Sequence, residues 1–278
     1  MLTLTKSVLY FLLFCGIFWI LIRILENKLV FFPTKYPQSF DLLTHYNLQP
    51  QTHFITAGTT KIHAWYFQVQ NPQATIFFLH GNAGNVADRI PFFHLLQQKI
   101  HVNIFAIDYR GYGKSSGTPT EKGVYKDAEY AWRYLVEELH LHPEDVIIWG
   151  RSLGGAVAVD LAAKENAAGL ILESTFSSGK DMAKRMFGFL PIWIFSGIQF
   201  DSANKITSIT YPKLFLHGDA DNIVPFELGR KLYDCAAQPK EFIKIAGAEH
   251  NDTYIVGGSS YWHIIHSFIS ETVNQKQE

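Results

Sequence analysis

Cysteine is scarce in this chain, and so is charge of either sign. The two cysteines among 278 residues, Cys15 and Cys235, cannot build a disulfide framework, and no Cys/His cluster has structural-zinc spacing. Lys and Arg number 24 against 25 Asp and Glu, so no basic excess favours a nucleic acid partner. Charged residues are only 18% of the chain, which indicates that some apolar surface meets lipid. We expect no metal, no cofactor and no nucleic acid.

Apolar residues, by contrast, are abundant. Hydrophobic side chains make up 47% of the chain and aromatic ones 15%, which excludes disorder as the main state. The length suits one large α/β domain or two small ones with a sizeable core. We find no internal repeat and no low-complexity segment.

The N-terminus carries the longest uncharged run, residues 7–22, between Lys6 and Arg23. Extended to Leu25, with the flanking cations reaching the headgroups, the run spans about 28 Å, close to a bilayer core. No small-x-small cleavage site follows it. We therefore predict a single-pass membrane anchor over residues 1–30, with a signal peptide and a core helix as alternatives. The charges flanking the run leave the membrane side of the remaining chain unresolved.

Residues 31–278 are predicted to form one catalytic domain. Two strand-like runs at 52–56 and 61–69 flank a short turn and predict a β-hairpin. Beyond them, short apolar runs alternate with longer helical stretches, which predicts an α/β fold with a mostly parallel central sheet and helices on both faces. The predicted strands are 74–79, 102–108, 145–149, 169–172, 213–216 and 241–245. The predicted helices are 86–98, 121–139, 153–166 and 261–272.

One interval interrupts this alternation. Residues 186–200 have more apolar side chains than a surface helix needs, and Pro191 breaks them. We predict a short helical lid insertion over about 176–210, above the carboxyl ends of the strands. An ordinary helix pair on the sheet, or a patch that docks on a membrane surface, also fits these residues.

The pentapeptide Gly150-Arg151-Ser152-Leu153-Gly154 directly follows a predicted strand and opens a predicted helix. This G-x-S-x-G arrangement forces a sharp turn, which holds the serine hydroxyl exposed at the top of the sheet beside a helix N-terminus. We therefore predict that Ser152 is a nucleophile.

A serine nucleophile needs a histidine base, itself oriented by a carboxylate. His250 lies in a loop between the last predicted strand and the final helix, and Asp221 lies just after the 213–216 strand. The order Ser152, Asp221, His250 is the one expected of an α/β-hydrolase. Asp219 and Glu173 are alternatives for the acid.

A tetrahedral intermediate also needs two hydrogen-bond donors for its oxyanion. We predict the backbone N–H of Leu153 as one donor and Asn82 as the other. Asn82 lies in the glycine-containing loop 80–85 after the first parallel strand, where glycines permit a close approach of the backbone.

Six ordered motifs carry a family resemblance: FFLHGNAGN, DYRGYGKSSG, GRSLGGAVAVDLA, ESTF, LHGDADNIVP and GAEHND. Over roughly residues 70–255 the chain resembles the α/β-hydrolase superfamily, and within it the membrane-anchored bud-emergence-type and palmitoyl-protein-thioesterase-like serine hydrolases. The resemblance implies a serine hydrolase with an acid at Asp221, and it leaves the substrate open.

These residues predict a membrane-anchored serine hydrolase that cleaves an acyl ester or thioester through an acyl-enzyme. A serine at position 152 argues against dehalogenase and epoxide hydrolase chemistry, which use a carboxylate nucleophile. The expected substrate is a lipid or an acylated protein near a membrane. A serine peptidase of the same fold and a non-catalytic membrane scaffold are the alternative functions.

Overall fold

An eight-stranded sheet organises the computed structural model, which describes residues 2–36, 42–188 and 196–274. Its strand order is β1-β2-β4-β3-β5-β6-β7-β8. The strands are β1 (Gln51–Ala57), β2 (Thr60–Phe67), β3 (Thr75–Leu79), β4 (Asn103–Ile107), β5 (Val146–Arg151), β6 (Gly169–Glu173), β7 (Lys213–Gly218) and β8 (Lys240–Ile245).

The sheet is mostly parallel, as the sequence predicts. Strands β1 and β2 form the predicted antiparallel hairpin, and β2 pairs antiparallel with β4. From β4 to β8 every neighbouring pair is parallel. The carboxyl ends of these strands therefore lie at one edge of the sheet, and the loops that follow β3, β5, β7 and β8 meet there.

Helices pack on both faces of the sheet. The α-helices of the described residues are α1 (Leu2–Val30), α2 (Leu42–His45), α3 (Ile90–Ile100), α4 (Glu121–Arg133), α5 (Leu153–Ala162), α6 (Gly179–Met186), α7 (Ser202–Lys205), α8 (Phe226–Cys235), α9 (Thr253–Val256) and α10 (Gly258–Asn274). A 3₁₀ turn, Val86–Arg89, precedes α3, and a π-helical turn, Tyr134–Glu138, continues α4.

Successive side chains of each central strand point to opposite faces, so the sheet contributes to two hydrophobic cores. Phe77 of β3 lies in the core on one face, with Trp132 of α4. Its neighbour Phe78 lies in the core on the other face, with Phe93 of α3 and Trp149 of β5. The prediction of helices on both faces is confirmed.

The C-terminal end of α1 packs on the rest of the molecule. Glu26 is buried, and its carboxylate accepts hydrogen bonds from the backbone N–H of Gly197 at 2.7 Å and from Ser196 Oγ at 3.2 Å. Phe31, just beyond the helix, is 3% exposed and meets the ring of Phe200 edge-on. The end of α1 is thus part of the core structure.

The predicted transmembrane helix is not supported. Among the described helices, none has the combined length and apolar character needed to cross a bilayer. The uncharged run 7–22 has sixteen residues and spans about 24 Å, less than a hydrocarbon core of about 30 Å. Arg23, Glu26 and Lys28 follow it within the same helix.

The predicted lid insertion, 176–210, is described only in part, because residues 189–195 and the proline at 191 lie outside the described residues. Before this gap, α6 has no buried residue. After it, the carboxylate of Glu121 accepts hydrogen bonds from the backbone N–H groups of Gln199 and Phe200, each at 2.7 Å. The chain is therefore tied to the first turn of α4 at this point.

Candidate active site

The turn from β5 to α5 holds Ser152 in a strained conformation. Its backbone has φ of 54° and ψ of −120°, a region that costs free energy for a residue with a side chain. Gly150 and Gly154 make this turn sterically feasible. A Cβ at Gly150 would collide with the carbonyl oxygen of Gly154, and a Cβ at Gly154 with that of Leu79. The glycine pattern of the motif therefore has a steric origin.

Three of the predicted site residues meet at this turn. The Oγ of Ser152 lies 3.0 Å from Nε2 of His250, and Nδ1 of His250 lies 2.7 Å from Oδ2 of Asp221. Ser152 follows β5, Asp221 follows β7 and His250 follows β8, so the parallel strands bring the three loops to one edge. The geometry links an alcohol, an imidazole and a carboxylate by two hydrogen bonds.

Asp221 is surrounded by donors. Its Oδ1 accepts hydrogen bonds from the backbone N–H groups of Ile223 at 2.9 Å and Val224 at 2.8 Å. Oδ2 lies 3.4 Å from Nε2 of His217 in addition to its contact with His250. Burial alone raises the pKa of Asp221, but the hydrogen bonds with His217 and His250 hold this pKa far below its usual value. The carboxylate is therefore ionised at neutral pH.

Asp219, the first alternative acid, has a different environment. Its Oδ1 accepts a hydrogen bond from the backbone N–H of Gly247 at 2.7 Å, and its Oδ2 lies 3.3 Å from Nζ of Lys244. These contacts connect the loop after β7 to the end of β8. Within the described part of the chain, Asp221 is the carboxylate hydrogen-bonded to the His250 imidazole.

Glu173, the second alternative, is fully buried at the end of β6. Its carboxylate accepts hydrogen bonds from Trp149 Nε1 at 3.2 Å, from the Tyr261 hydroxyl at 3.1 Å and from the Thr253 hydroxyl. These partners come from β5, α9 and α10. Glu173 thus holds together the elements that surround the site.

The side chain of Asn82 is occupied by structural contacts. Its Oδ1 accepts hydrogen bonds from the backbone N–H of Phe32 at 3.2 Å and from the Tyr112 hydroxyl at 2.9 Å, and its Nδ2 donates to the carbonyl oxygen of Val30 at 2.5 Å. An oxyanion donor at Asn82 therefore has to be its backbone N–H. The side chain instead connects the loop after β3 to the end of α1.

The stretch after α1 runs along this same loop. Pro33 forms an isolated parallel bridge with Gly84, and the N–H of Thr34 donates to the carbonyl oxygen of Gly84 at 3.3 Å. The carbonyl oxygen of Thr34 accepts from the N–H of Gly113 at 2.9 Å. Residues 33–34 thus lie between the loop after β3 and the loop after β4.

The loop after β4 is a structural brace. Asp108 accepts hydrogen bonds from His63 Nδ1 and from the backbone N–H of Val86, each at 2.8 Å. Arg110 pairs with Asp127 at 2.7 Å.

In the part of the chain that the structure describes, no three His, Cys, Asp or Glu side chains are arranged to hold a metal ion.

A cavity of about 480 Å³ opens above Ser152 and His250. Apolar side chains of Phe32, Pro91 and Phe92 form part of its lining. Two arginines, Arg89 and Arg151, also line it. Arg151 and His217 lie within two of the six motifs, and Arg89 lies outside them. None of the three was predicted as a site residue, because a motif does not show where a side chain points.

Known proteins are similar to this chain in sequence. A family profile described as the alpha/beta hydrolase fold matches residues 74–193. Human alpha/beta hydrolase domain-containing protein 17B is 38% identical over 205 residues, covering 72% of this chain and 68% of that protein. Protein bem46 of Schizosaccharomyces pombe is 37% identical and covers 73% of this chain and 70% of its own.

Solved structures agree at the level of the fold. The esterase Pf2001 of Pyrococcus furiosus superposes with a TM-score of 0.70 at 20% identity, covering 88% of this chain and 98% of its own. An alpha-beta hydrolase of Vibrio vulnificus superposes with a TM-score of 0.70 at 24% identity, covering 89% and 93%. Together with the relatives above 30% identity, the sheet order and the turn at Ser152, these matches confirm the resemblance: the chain belongs to the α/β-hydrolase family.

Proposed function

We propose that this protein is a serine hydrolase that cleaves an acyl ester or thioester through an acyl-enzyme on Ser152. The observation that supports this most directly is the pair of hydrogen bonds that links Ser152 Oγ to His250 and His250 to Asp221. A serine hydroxyl at neutral pH is a weak nucleophile, and this arrangement supplies the base that it needs.

In the proposed reaction, Ser152 Oγ attacks the acyl carbonyl carbon while His250 Nε2 takes the hydroxyl proton. Asp221 holds the imidazole with Nδ1 protonated and stabilises its positive charge. His250 then gives the proton to the leaving alcohol or thiol, which leaves Ser152 acylated. Water, deprotonated by the same imidazole, attacks the acyl-enzyme and releases the acid.

The negative charge that develops on the carbonyl oxygen needs donors. We propose the backbone N–H groups of Leu153 and Asn82 for this role. Leu153 is the first residue of α5, whose N-terminal end favours negative charge. Asn82 lies in the loop that meets Ser152, since a Cβ on the adjacent Gly81 would be 3.3 Å from Ser152 Cβ.

A fluorophosphonate probe tests this function, because it reacts covalently with an activated serine. We expect the wild-type protein and the Ser208→Ala variant to be labelled, since Ser208 is an exposed residue that only bonds a nearby carbonyl. Ser152→Ala should not be labelled. No labelling of the wild type, or equal labelling of Ser152→Ala, would contradict the proposal.

The apolar lining of the cavity supports an acyl substrate with a hydrocarbon part. A series of p-nitrophenyl esters with lengthening acyl chains measures this preference. We expect kcat/KM to rise with each buried methylene, by up to about fourfold for 0.8 kcal/mol. Activity confined to the shortest esters would contradict a lipid-like acyl group.

We further propose that α1 contacts a lipid bilayer. Leu12, Leu13 and Phe14 are each about three-fifths exposed, and at about 100° per residue they point to different sides of the helix. Apolar side chains on all sides suit a fluid lipid surface better than one protein partner. The uncharged run is short, so the proposal is contact with lipid rather than a crossing.

Vesicle flotation tests this contact. A carboxylate in hydrocarbon costs about 2.5–3.5 kcal/mol, so Leu13→Asp should reduce flotation with phosphatidylcholine vesicles by at least about tenfold. Phe54→Asp adds the same charge at a similarly exposed apolar position in β1 and should float like the wild type. Equal flotation of the two variants would refute the role of α1.

A further inference from the structure

Two arginines that line the active-site cavity each have a buried Nε–H donor without a hydrogen-bond partner within the described ranges of the chain. Arg151 is 5% exposed, and although one of its terminal nitrogens donates to the carbonyl oxygen of His250 at 3.1 Å, its Nε is buried and unpaired. Arg89 donates to the carbonyl oxygen of Ala83 at 2.5 Å, and its Nε is also buried and unpaired. A buried N–H donor without a partner is costly, so each of these two groups needs an explanation.

Arg89 and Arg151 line the same cavity, and their positive charges act on each other. After burial, the neighbouring Arg151 guanidinium is the main cause that lowers the pKa of Arg89. Among the described residues, neither guanidinium has a carboxylate oxygen within 4 Å, since both are absent from the ion pairs of this part of the chain. The first turn of α3, which follows Arg89 directly, adds the positive end of a helix dipole.

The nearby carboxylates are already engaged. Asp88 also lines the cavity, but its Oδ2 accepts a hydrogen bond from the backbone N–H of Asn85 at 2.8 Å and caps the 3₁₀ turn. Glu173 lies opposite Arg151 in the strand register of β5 and β6. Its buried carboxylate already accepts three hydrogen bonds from other side chains. The Asp88 charge offsets part of the Arg89 charge, and the Arg151 guanidinium lies over the Tyr254 ring, 5.9 Å from its centroid. Among the described residues, the Nε–H groups of the two arginines still have no hydrogen-bond partner.

We propose that Arg89 and Arg151 form a subsite for an oxyanionic group, a carboxylate or a phosphate, carried by the ester or thioester that Ser152 cleaves. The inference rests on the proposed hydrolase function and narrows its substrate class. A guanidinium matches the geometry of a carboxylate or phosphate through paired N–H donors, which a neutral acyl chain cannot satisfy. The subsite thus selects among esters by charge.

Matched pairs of chromogenic esters test the subsite. The p-nitrophenyl half-esters of succinic, glutaric and adipic acid carry a carboxylate at increasing distance, and their methyl esters are neutral controls. We expect the wild type to prefer the charged member of at least one pair by roughly ten- to hundredfold in kcat/KM. A ratio near one for all three pairs would overturn the proposal.

Charge-removing variants assign the preference to the two arginines. Arg89→Met and Arg151→Met should each reduce the charged-to-neutral ratio about tenfold, whereas Arg133→Met, which removes an exposed arginine of α4, should keep the wild-type ratio. An unchanged ratio in Arg89→Met would refute the subsite. Because both substrates are measured on the same variant, a general loss of activity does not affect the ratio.

The labelling rate of Ser152 gives a second readout. Inorganic phosphate at constant ionic strength should slow labelling by a neutral fluorophosphonate in the wild type and not in Arg89→Met. Equal slowing or none in both proteins would count against the subsite. Failure of the hydrolase function itself has a different signature, since the wild type would then not be labelled under any condition.

Discussion

At the residue scale, the candidate site depends on a carboxylate that stays ionised beside an imidazole. We predict that Asp221→Asn lowers kcat by about 10³- to 10⁴-fold, because an amide does not hold the His250 tautomer or its charge. Asp219→Asn should lower kcat less than tenfold, since the Asp219 carboxylate bonds Gly247 and Lys244 and, among the described residues, not His250. Steady-state hydrolysis of one p-nitrophenyl ester measures both.

The two variants are a matched comparison, because each removes one negative charge from the same loop. A larger loss in Asp219→Asn than in Asp221→Asn would show that the acid is assigned to the wrong residue. Thermal unfolding of both proteins separates a loss of activity from a loss of folded protein.

The pH dependence of stability has a residue-scale source in His80. Burial lowers the pKa of this imidazole to about 4, against 6.5 for the ordinary side chain. Between pH 6.5 and 4 the unfolded chain therefore binds a proton that the folded chain does not, and stability falls as the pH falls. From pH 7 to 5 this residue should cost about 2 kcal/mol of unfolding free energy.

Urea unfolding at pH 7 and pH 5 measures this cost. His80→Gln should lose about 2 kcal/mol less than the wild type over this interval, whereas His263→Gln, at an exposed position in α10, should lose as much as the wild type. An NMR titration that finds His80 half-protonated near pH 6.5 would contradict the prediction without any variant.

The residues that the sequence could predict are those whose spacing is fixed by backbone geometry. Ser152 is recognised because glycines must flank the turn, and Asp221 and His250 because they follow strands whose ends share one edge. His217 and Arg151 contact the site through side chains whose direction depends on packing across the fold. No local pattern carries that information.

At the scale of elements, the end of α1 and the loop after β3 act as one unit. The Asn82 side chain bonds Val30, Phe32 and Tyr112. We predict that Asn82→Ala lowers kcat at least about tenfold with little change in KM, because a looser loop misplaces the proposed oxyanion donor. Asn204→Ala removes an exposed asparagine bonded to Asp201 and should leave kcat unchanged.

Kinetics on a soluble ester test this coupling. If Asn82→Ala keeps the wild-type kcat while its unfolding midpoint falls, the side chain has only a structural role. Rescue by Asn82→Asp is not expected, since a carboxylate cannot donate to the carbonyl oxygen of Val30.

The sequence predicted the helices and strands well where their hydrophobic periodicity and the flanking turn residues were clear. All six parallel strands lie within about two residues of the predicted runs, because apolar runs of that length suit strands covered on both faces. The predicted helix 86–98 begins as a 3₁₀ turn, since Asn85 and Asp88 form a capping box there. Helix α8 was not predicted, because its polar face and short length give a weak pattern.

At the scale of the whole molecule, α1 has two parts with different roles. Removing residues 2–22 should leave both the hydrolysis of a soluble ester and the unfolding midpoint near the wild-type values. The removed side chains whose burial is described are exposed, apart from half-buried Cys15 and Ile22. Removing residues 2–32 also takes away buried Phe31. Losing this buried side chain should lower the free energy of unfolding by about 3–5 kcal/mol and the thermal unfolding midpoint by about 10 °C.

Differential scanning calorimetry of the two truncated proteins measures the midpoints. Equal midpoints for both would show that the stretch around Phe31 is dispensable. The sequence predicted one membrane anchor over residues 1–30, because hydropathy does not distinguish a segment that packs through Glu26 from one that meets solvent or lipid.

The route of residues 33–34 between two active-site loops also has a mechanical consequence. A load applied at the N-terminus travels along α1 to the contacts of Glu26 and Phe31 with residues 196–200. Through residues 33–34 it then reaches Gly84 and Gly113 in the loops after β3 and β4. In a surface-tethered form of this protein, tension would therefore distort the loops beside Ser152 while the eight strands stay intact.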